Sequence, residues 1–306
     1  MADLRTPLQA ALADRYQLEK ELGKGGTAVV FLARDLAHSR EVALKVLHPA
    51  LAETVGADRF KREIRVASRL KHPNILPVFD TGETGDFLWF TMPYVRGASL
   101  WELVERREPI PLARSLAITQ AVGSALEYAH QQGILHRDIK PENILLEDDQ
   151  VMVADFGVAR AVSEVHERLT ATGMIVGTPV YMSPEQASGE ELDARTDQYA
   201  LATVLYEMLS GEAPFKGPTP TATLMRRLAG PPRPLRPVID VPEAVERAVL
   251  RALEKDPAAR FASVGDFLDA LAGKTVPPRP APGPPPAEPP RGGTGFLGRF
   301  WKKSGG

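Results

Sequence analysis

Three polar side chains at short, fixed offsets constrain this chain more than any other feature. Asp138 stands in the run His136-Arg137-Asp138, Asn143 follows five positions later, and Asp155 opens Asp155-Phe156-Gly157 twelve positions after that. Two carboxylates and an amide so spaced can ligate divalent cations and orient a hydroxyl, but only if the fold brings both loops to one place. The chain must therefore build a cleft with these loops on its floor.

Composition permits such a cleft and excludes several rivals. At 306 residues, 43% hydrophobic and 25% charged, the chain is long enough for two packed lobes. The 37 Lys and Arg nearly balance the 39 Asp and Glu, so no global field draws in nucleic acid, and none is expected as a partner. There is no cysteine, which removes disulfides and thiolate chemistry, and the six histidines are scattered. The N-terminal stretch has early acidic residues and no long apolar core, and no window approaches the roughly 18 apolar residues of a membrane span. The expected location is cytoplasmic.

A β-rich part precedes an α-rich part, giving an α+β chain. Val29-Val30-Phe31-Leu32, the run Val42 to Leu47 and the run Phe87 to Met92 read as strands. Between them Phe60, Ile64 and Ala67 recur at helical spacing and mark one main helix, with Glu63 beside its apolar face. After Gly97 the pattern turns helical: Ile118, Val122, Ala125 and Ala129 mark one helix, and Leu201, Val204, Leu205 and Met208 another. Ser263 reads as the start of a last helix carrying Phe267, Leu268 and Leu271. Residues 274–290 form a proline-rich linker, extended in character, so the packed fold is expected to end near Gly273. The final 291–306 segment is basic and aromatic, with Phe296, Leu297, Phe300 and Trp301. That composition suits an anionic membrane surface, a partner, or a flexible solvated tail.

The loop Leu22-Gly23-Lys24-Gly25-Gly26-Thr27-Ala28 lies between two strand-like runs, where a hairpin can cover phosphates with backbone amides. With this loop, the Val42-Ala43-Leu44-Lys45 run, His136 to Asn143 and Asp155-Phe156-Gly157 in this order, the chain resembles the eukaryotic-like (Hanks-type) protein kinases. The likeness spans about residues 14–273 and is strongest to bacterial Ser/Thr kinases, including the intracellular parts of single-pass receptor kinases. It implies a bilobal fold: a small β-rich lobe over about 14–92, a hinge at 93–96 and a helical lobe over about 97–273.

It also implies roles. Lys45 would meet the α- and β-phosphates of ATP, steadied by an ion pair with Glu63. Leu22, Gly23, Lys24, Gly25 and Gly26 would cover the nucleotide. Val30, Ala43 and Leu145 would sandwich the adenine, with Met92 at the back of the pocket and Pro93 and Val95 at the hinge facing the adenine edge. Asp138 would be the base, Lys140 would add positive charge at the transferring group, and Asn143 and Asp155 would bind Mg2+ or Mn2+.

In the following segment Thr178 and Glu185 would support a bound protein substrate, Glu185 anchored by Arg260, and Asp197 would brace the catalytic loop. Thr170 and Thr172 would be autophosphorylation sites, met by Arg137 once modified. The expected partners are proteins carrying Ser or Thr acceptors and a second copy of the chain. Membrane contact would come through the tail or through a span outside this chain.

Overall fold

The computed structural model describes residues 4–157, 179–236 and 239–276. Thr170, Thr172, Thr178, residues 277–290 and the basic-aromatic tail lie outside the described residues.

The chain opens with a helix that the sequence reading did not foresee, α1 (Arg5–Leu12), ahead of β1 (Tyr16–Lys24), β2 (Ala28–Asp35) and β3 (Arg40–Leu47). Two short helices follow, α2 (Pro49–Val55) and α3 (Ala57–Ala67), then β4 (Asp80–Thr84) and β5 (Phe87–Pro93). The five strands form one antiparallel sheet in the order β1-β2-β3-β5-β4. The small lobe thus carries α1 and α2 besides the single expected helix, α3.

Both faces of this sheet are covered, so β2, β3 and β5 read as nearly continuous apolar runs. Because strand side chains alternate, Val29, Phe31, Val42, Leu44, Val46 and Trp89 fall on one face, where Leu8 and Leu12 of α1 pack on them. Val30, Ala43, Phe90 and Met92 fall on the other, against Phe60 and Ile64 of α3. Lys45, two positions beyond Ala43, shares that second face by the same alternation. Gln9 fastens α1 to the sheet edge: its Nε2 donates to the Tyr16 carbonyl at 3.1 Å and its Oε1 accepts the Leu18 amide at 2.6 Å. The folded unit therefore begins upstream of residue 14.

The larger lobe holds β6 (Ala98–Ser99), α4 (Leu100–Val104), α5 (Leu112–Gln131), the hairpin of β7 (Ile144–Glu147) and β8 (Gln150–Val153), and α6 (Pro184–Ser188). It continues with α7 (Ala194–Ser210), α8 (Pro220–Ala229), α9 (Glu243–Ala252) and α10 (Val264–Leu271). Every residue of α7 from Thr196 to Leu209 is buried, which makes it the central post on which α5, α9 and α10 pack. Such a helix needs partners for its polar groups on all sides, and those partners include the loop that leads into Asp138 and the segment around Glu185. Ser263 caps α10 by accepting the Asp266 amide at 3.0 Å, as the sequence implied. Among the described residues no helix is long and apolar enough to cross a membrane.

Candidate active site

Asp197, wholly buried in the first turn of α7, organises the loop that carries Asp138. Its carboxylate accepts the amides of His136 at 2.8 Å and Arg137 at 2.7 Å, and is bonded to His130 Nε2 at 2.7 Å. Burial alone would push this carboxyl up, but the His130 bond and neighbouring charge outweigh it and hold it below its ordinary value. Arg137 stands at φ 69°, a left-handed conformation unusual for a side-chain-bearing residue.

His136 ties this loop to the next. Its Nδ1 accepts the Asp138 amide at 3.2 Å, so its Nε2 carries the proton and donates to the Ala154 carbonyl at 2.8 Å. The ring also meets Phe156 edge-on at 4.6 Å between centroids. The β7–β8 hairpin then closes the distance that separates the two loops in sequence: Ala154 donates its amide to the Asn143 carbonyl at 2.9 Å.

The chemistry-bearing groups converge here. The Asp138 carboxylate is 46% exposed, and its Oδ2 accepts Lys140 Nζ at 2.7 Å and Asn143 Nδ2 at 3.2 Å. Asn143 Nδ2 also donates to the Asp138 carbonyl at 2.8 Å, which leaves its Oδ1 as the oxygen able to face a cation. Burial disfavours the Lys140 ammonium, yet the Asp138 carboxylate more than compensates and raises its pKa.

Asp155 is half-buried, stands at φ 69°, and binds Lys45 through Oδ2, while its buried Oδ1 has no hydrogen-bond partner. An orphaned carboxylate oxygen suits a divalent cation. Among the described residues no group of three or more His, Asp or Glu forms a metal cage. Asp155 and Asn143 are the residues that would hold a divalent cation here.

One expected pairing differs. Lys45 was to pair with Glu63; its ammonium instead engages Asp155. Burial pushes the Asp155 carboxyl up, and the Lys45 charge and hydrogen bond outweigh that push and hold it below its ordinary value. Glu63 is buried on α3, its carbonyl 3.1 Å from where a Cβ on Gly157 would stand.

The residues expected on the nucleotide side are brought together in part. Val30, Ala43, Met92, Val95 and Leu145 belong to one apolar cluster, with Pro93 paired to Val42 at the end of β5. The same cluster includes Met152 and Ala154, which sequence reasoning missed; Met152 lies opposite Leu145 in the β7–β8 register. In the β1–β2 hairpin Leu22 is 38% exposed, and Gly23, Lys24, Gly25 and Gly26 are exposed as well. A Cβ on Gly23 or Gly26 would meet nothing within 4 Å, and on Gly25 only the Ala28 carbonyl at 3.8 Å. The fold itself does not require glycine there, so the missing side chains leave room for a ligand against the backbone. His48, also missed, bonds the Gly25 carbonyl through Nε2 at 2.9 Å.

The segment after Thr178 is fixed at several points. Glu185 and Arg260 pair at 2.7 and 2.8 Å, and Thr196 donates to the same carboxylate at 2.9 Å. Gln186 donates to the Arg137 carbonyl at 2.8 Å, linking α6 to the catalytic loop, and Tyr181 donates to Glu207 at 2.6 Å. Neither Gln186 nor the Tyr181–Glu207 pair carries a motif that sequence reading could use.

The family model described as protein kinase domain matches residues 16–266. Serine/threonine-protein kinase PknB of Mycolicibacterium smegmatis is 42% identical over 263 residues, 84% of this chain and 42% of that protein. Serine/threonine-protein kinase pkn3 of Myxococcus xanthus is 40% identical over 285 residues, 88% of this chain and 52% of that protein. The chain thus spans about half the length, or less, of these curated relatives. The PknI kinase domain of Mycobacterium tuberculosis superposes with a TM-score of 0.68 at 35% identity, covering 84% of this chain and 94% of that one. With its loops converging on one cleft and these likenesses spanning the fold, the chain belongs to the protein kinase family.

Proposed function

We propose that this chain transfers the γ-phosphoryl group of ATP to Ser and Thr hydroxyls of proteins. The observation that carries this reading is the convergence of Asp138, Asn143 and Asp155, the last with a buried, unpartnered carboxylate oxygen and Lys45 on its other oxygen. Asp138 would accept a hydrogen bond from the acceptor hydroxyl and orient it in line with the γ-phosphorus. Lys140, held charged beside Asp138, would offset the negative charge that gathers as the phosphoryl group moves. Lys45 would bind the α- and β-phosphates. Asn143 and Asp155 would hold Mg2+ or Mn2+, which when bound supplies charge neutralisation on the phosphates.

The relatives' names support protein acceptors. Thr170 and Thr172 are the proposed autophosphorylation sites, with a second copy of the chain as the expected partner in that reaction. We place the kinase domain in the cytoplasm, with membrane contact through the basic-aromatic tail or a span outside this chain. Incubation with labelled ATP, Mg2+ and mixed histones tests the central claim: label on phosphoserine or phosphothreonine supports it. Nucleotide binding without any transfer would replace it with a scaffold role.

A further inference from the structure

Arg227 on α8 is 1% exposed, and among the described residues no carboxylate lies within ion-pair distance of it. Its guanidinium donates instead to two successive backbone carbonyls, Pro179 at 2.7 Å and Val180 at 2.5 Å. The Tyr199 and Phe215 rings stand 5.8 Å from it on centroid distances. Burial works against the charge of this group and lowers its pKa. Sealing a guanidinium among aromatic rings is costly, and an apolar side chain would fill the space without that cost. What only arginine supplies is a planar fork that meets two acceptors at once.

Those acceptors begin the described part of the segment expected to support the acceptor polypeptide. Farther along, Tyr181 is held by Glu207 and Glu185 by Arg260. At residues 179–180 the Arg227 fork is the side-chain anchor among the described residues. We infer that Arg227 is a positioning residue for the acceptor: by pinning the Pro179 and Val180 carbonyls to α8, it sets where a protein substrate lies relative to Asp138. The inference rests on the kinase reading above.

The test compares wild type, Arg227→Met and Arg227→Lys in the full chain, with mixed histones as acceptor. Initial rates are measured against acceptor and against ATP, together with slow ATP hydrolysis without acceptor and a melting curve for each protein. Methionine keeps the packing and removes the donors; lysine keeps the charge and removes the fork. Both variants are expected to raise the acceptor KM by about tenfold, while the ATP KM and acceptor-free hydrolysis stay at wild-type values. An unchanged acceptor KM in a folded variant overturns the inference. So does a uniform fall of all rates in step with the folded fraction, or failure of both variants to fold, because each makes Arg227 a core residue only. If wild type itself transfers no phosphate, the kinase reading fails and not this assignment within it.

Discussion

Glu185 and Arg260 meet in a two-point ion pair, at 2.7 and 2.8 Å, with side chains 3% and 0% exposed. Arg260 also donates to the carbonyls of Glu254, Arg195 and Lys255, so nearly all of its donors are used. Burial would raise the Glu185 carboxyl, but the Arg260 hydrogen bonds and charge hold it below its ordinary 4.5. Removing either partner strands a buried charge.

Arg260→Met is therefore expected to destabilise the fold by about 3–5 kcal/mol, and the double replacement by apolar residues by much less. Urea titration of wild type, the single variant and the double variant checks this. The lowered Glu185 pKa fixes the pH dependence: the folded state releases its proton more readily than the unfolded one, so stability is complete above about 4.5 and lost as pH falls through the depressed folded value. Asp155 and Asp197, both lowered from 3.8, act in the same direction.

Glu207 carries the opposite sign. Burial raises its pKa despite the Tyr181 hydrogen bond, so the folded state prefers the protonated acid. Glu207→Gln keeps an acceptor for the Tyr181 hydroxyl and removes the buried charge. The variant is expected to melt at or above the wild-type temperature at pH 7. Its advantage should shrink on acidification, as wild-type Glu207 takes up its proton between the ordinary 4.5 and its raised folded value. Paired melting curves from pH 7 to pH 5 decide it; a gap that widens toward acid contradicts the assignment.

Asp138→Asn should lower turnover by about 10²–10⁴-fold while leaving ATP affinity within a small factor, because in the proposed mechanism the side chain orients the acceptor and does not hold the nucleotide. The asparagine still accepts from Lys140 and Asn143 on one oxygen, so the loop geometry is preserved. Calorimetric titration with ATP beside a turnover assay separates the two effects. Full activity in this variant would remove Asp138 from the reaction.

Legibility in the sequence followed burial. β2, β3 and β5 were readable because both of their faces are covered, and α3, α5 and α7 because their buried positions recur at helical spacing. β1 was legible only as a strand-like run ahead of the glycine loop because only Tyr16 and Leu18 are buried in it, and β4 escaped notice because Asp80-Thr81-Gly82-Glu83-Thr84 is polar and lies at the sheet edge. α1 buries only Leu8 and Leu12, too short a pattern to stand out from a tail. The meeting of Asp138, Asn143 and Asp155 could be expected because their residue types and spacing single them out. The partner of Lys45 could not, since Glu63 and Asp155 are both acidic and no sequence motif says which of them its ammonium reaches.

Gly157 lies where the turn bearing Asp155 packs on α3. It stands at φ 79°, and a Cβ added there would lie 2.7 Å from the Ala67 Cβ and 3.1 Å from the Glu63 carbonyl oxygen. The turn bearing Asp155 and the helix bearing Glu63 are thus in direct contact, with no room for a methyl group. Gly157→Ala adds conformational strain of about 1–2 kcal/mol and a clash that only movement of α3 or of the turn can relieve. Either movement shifts Asp155 relative to Lys45 and Asn143. The expected outcome is a lower melting temperature with a weaker Mg2+ dependence of nucleotide binding, read by calorimetry with ATP at several Mg2+ concentrations. A variant that binds ATP with the wild-type Mg2+ dependence would show that the turn and α3 move independently.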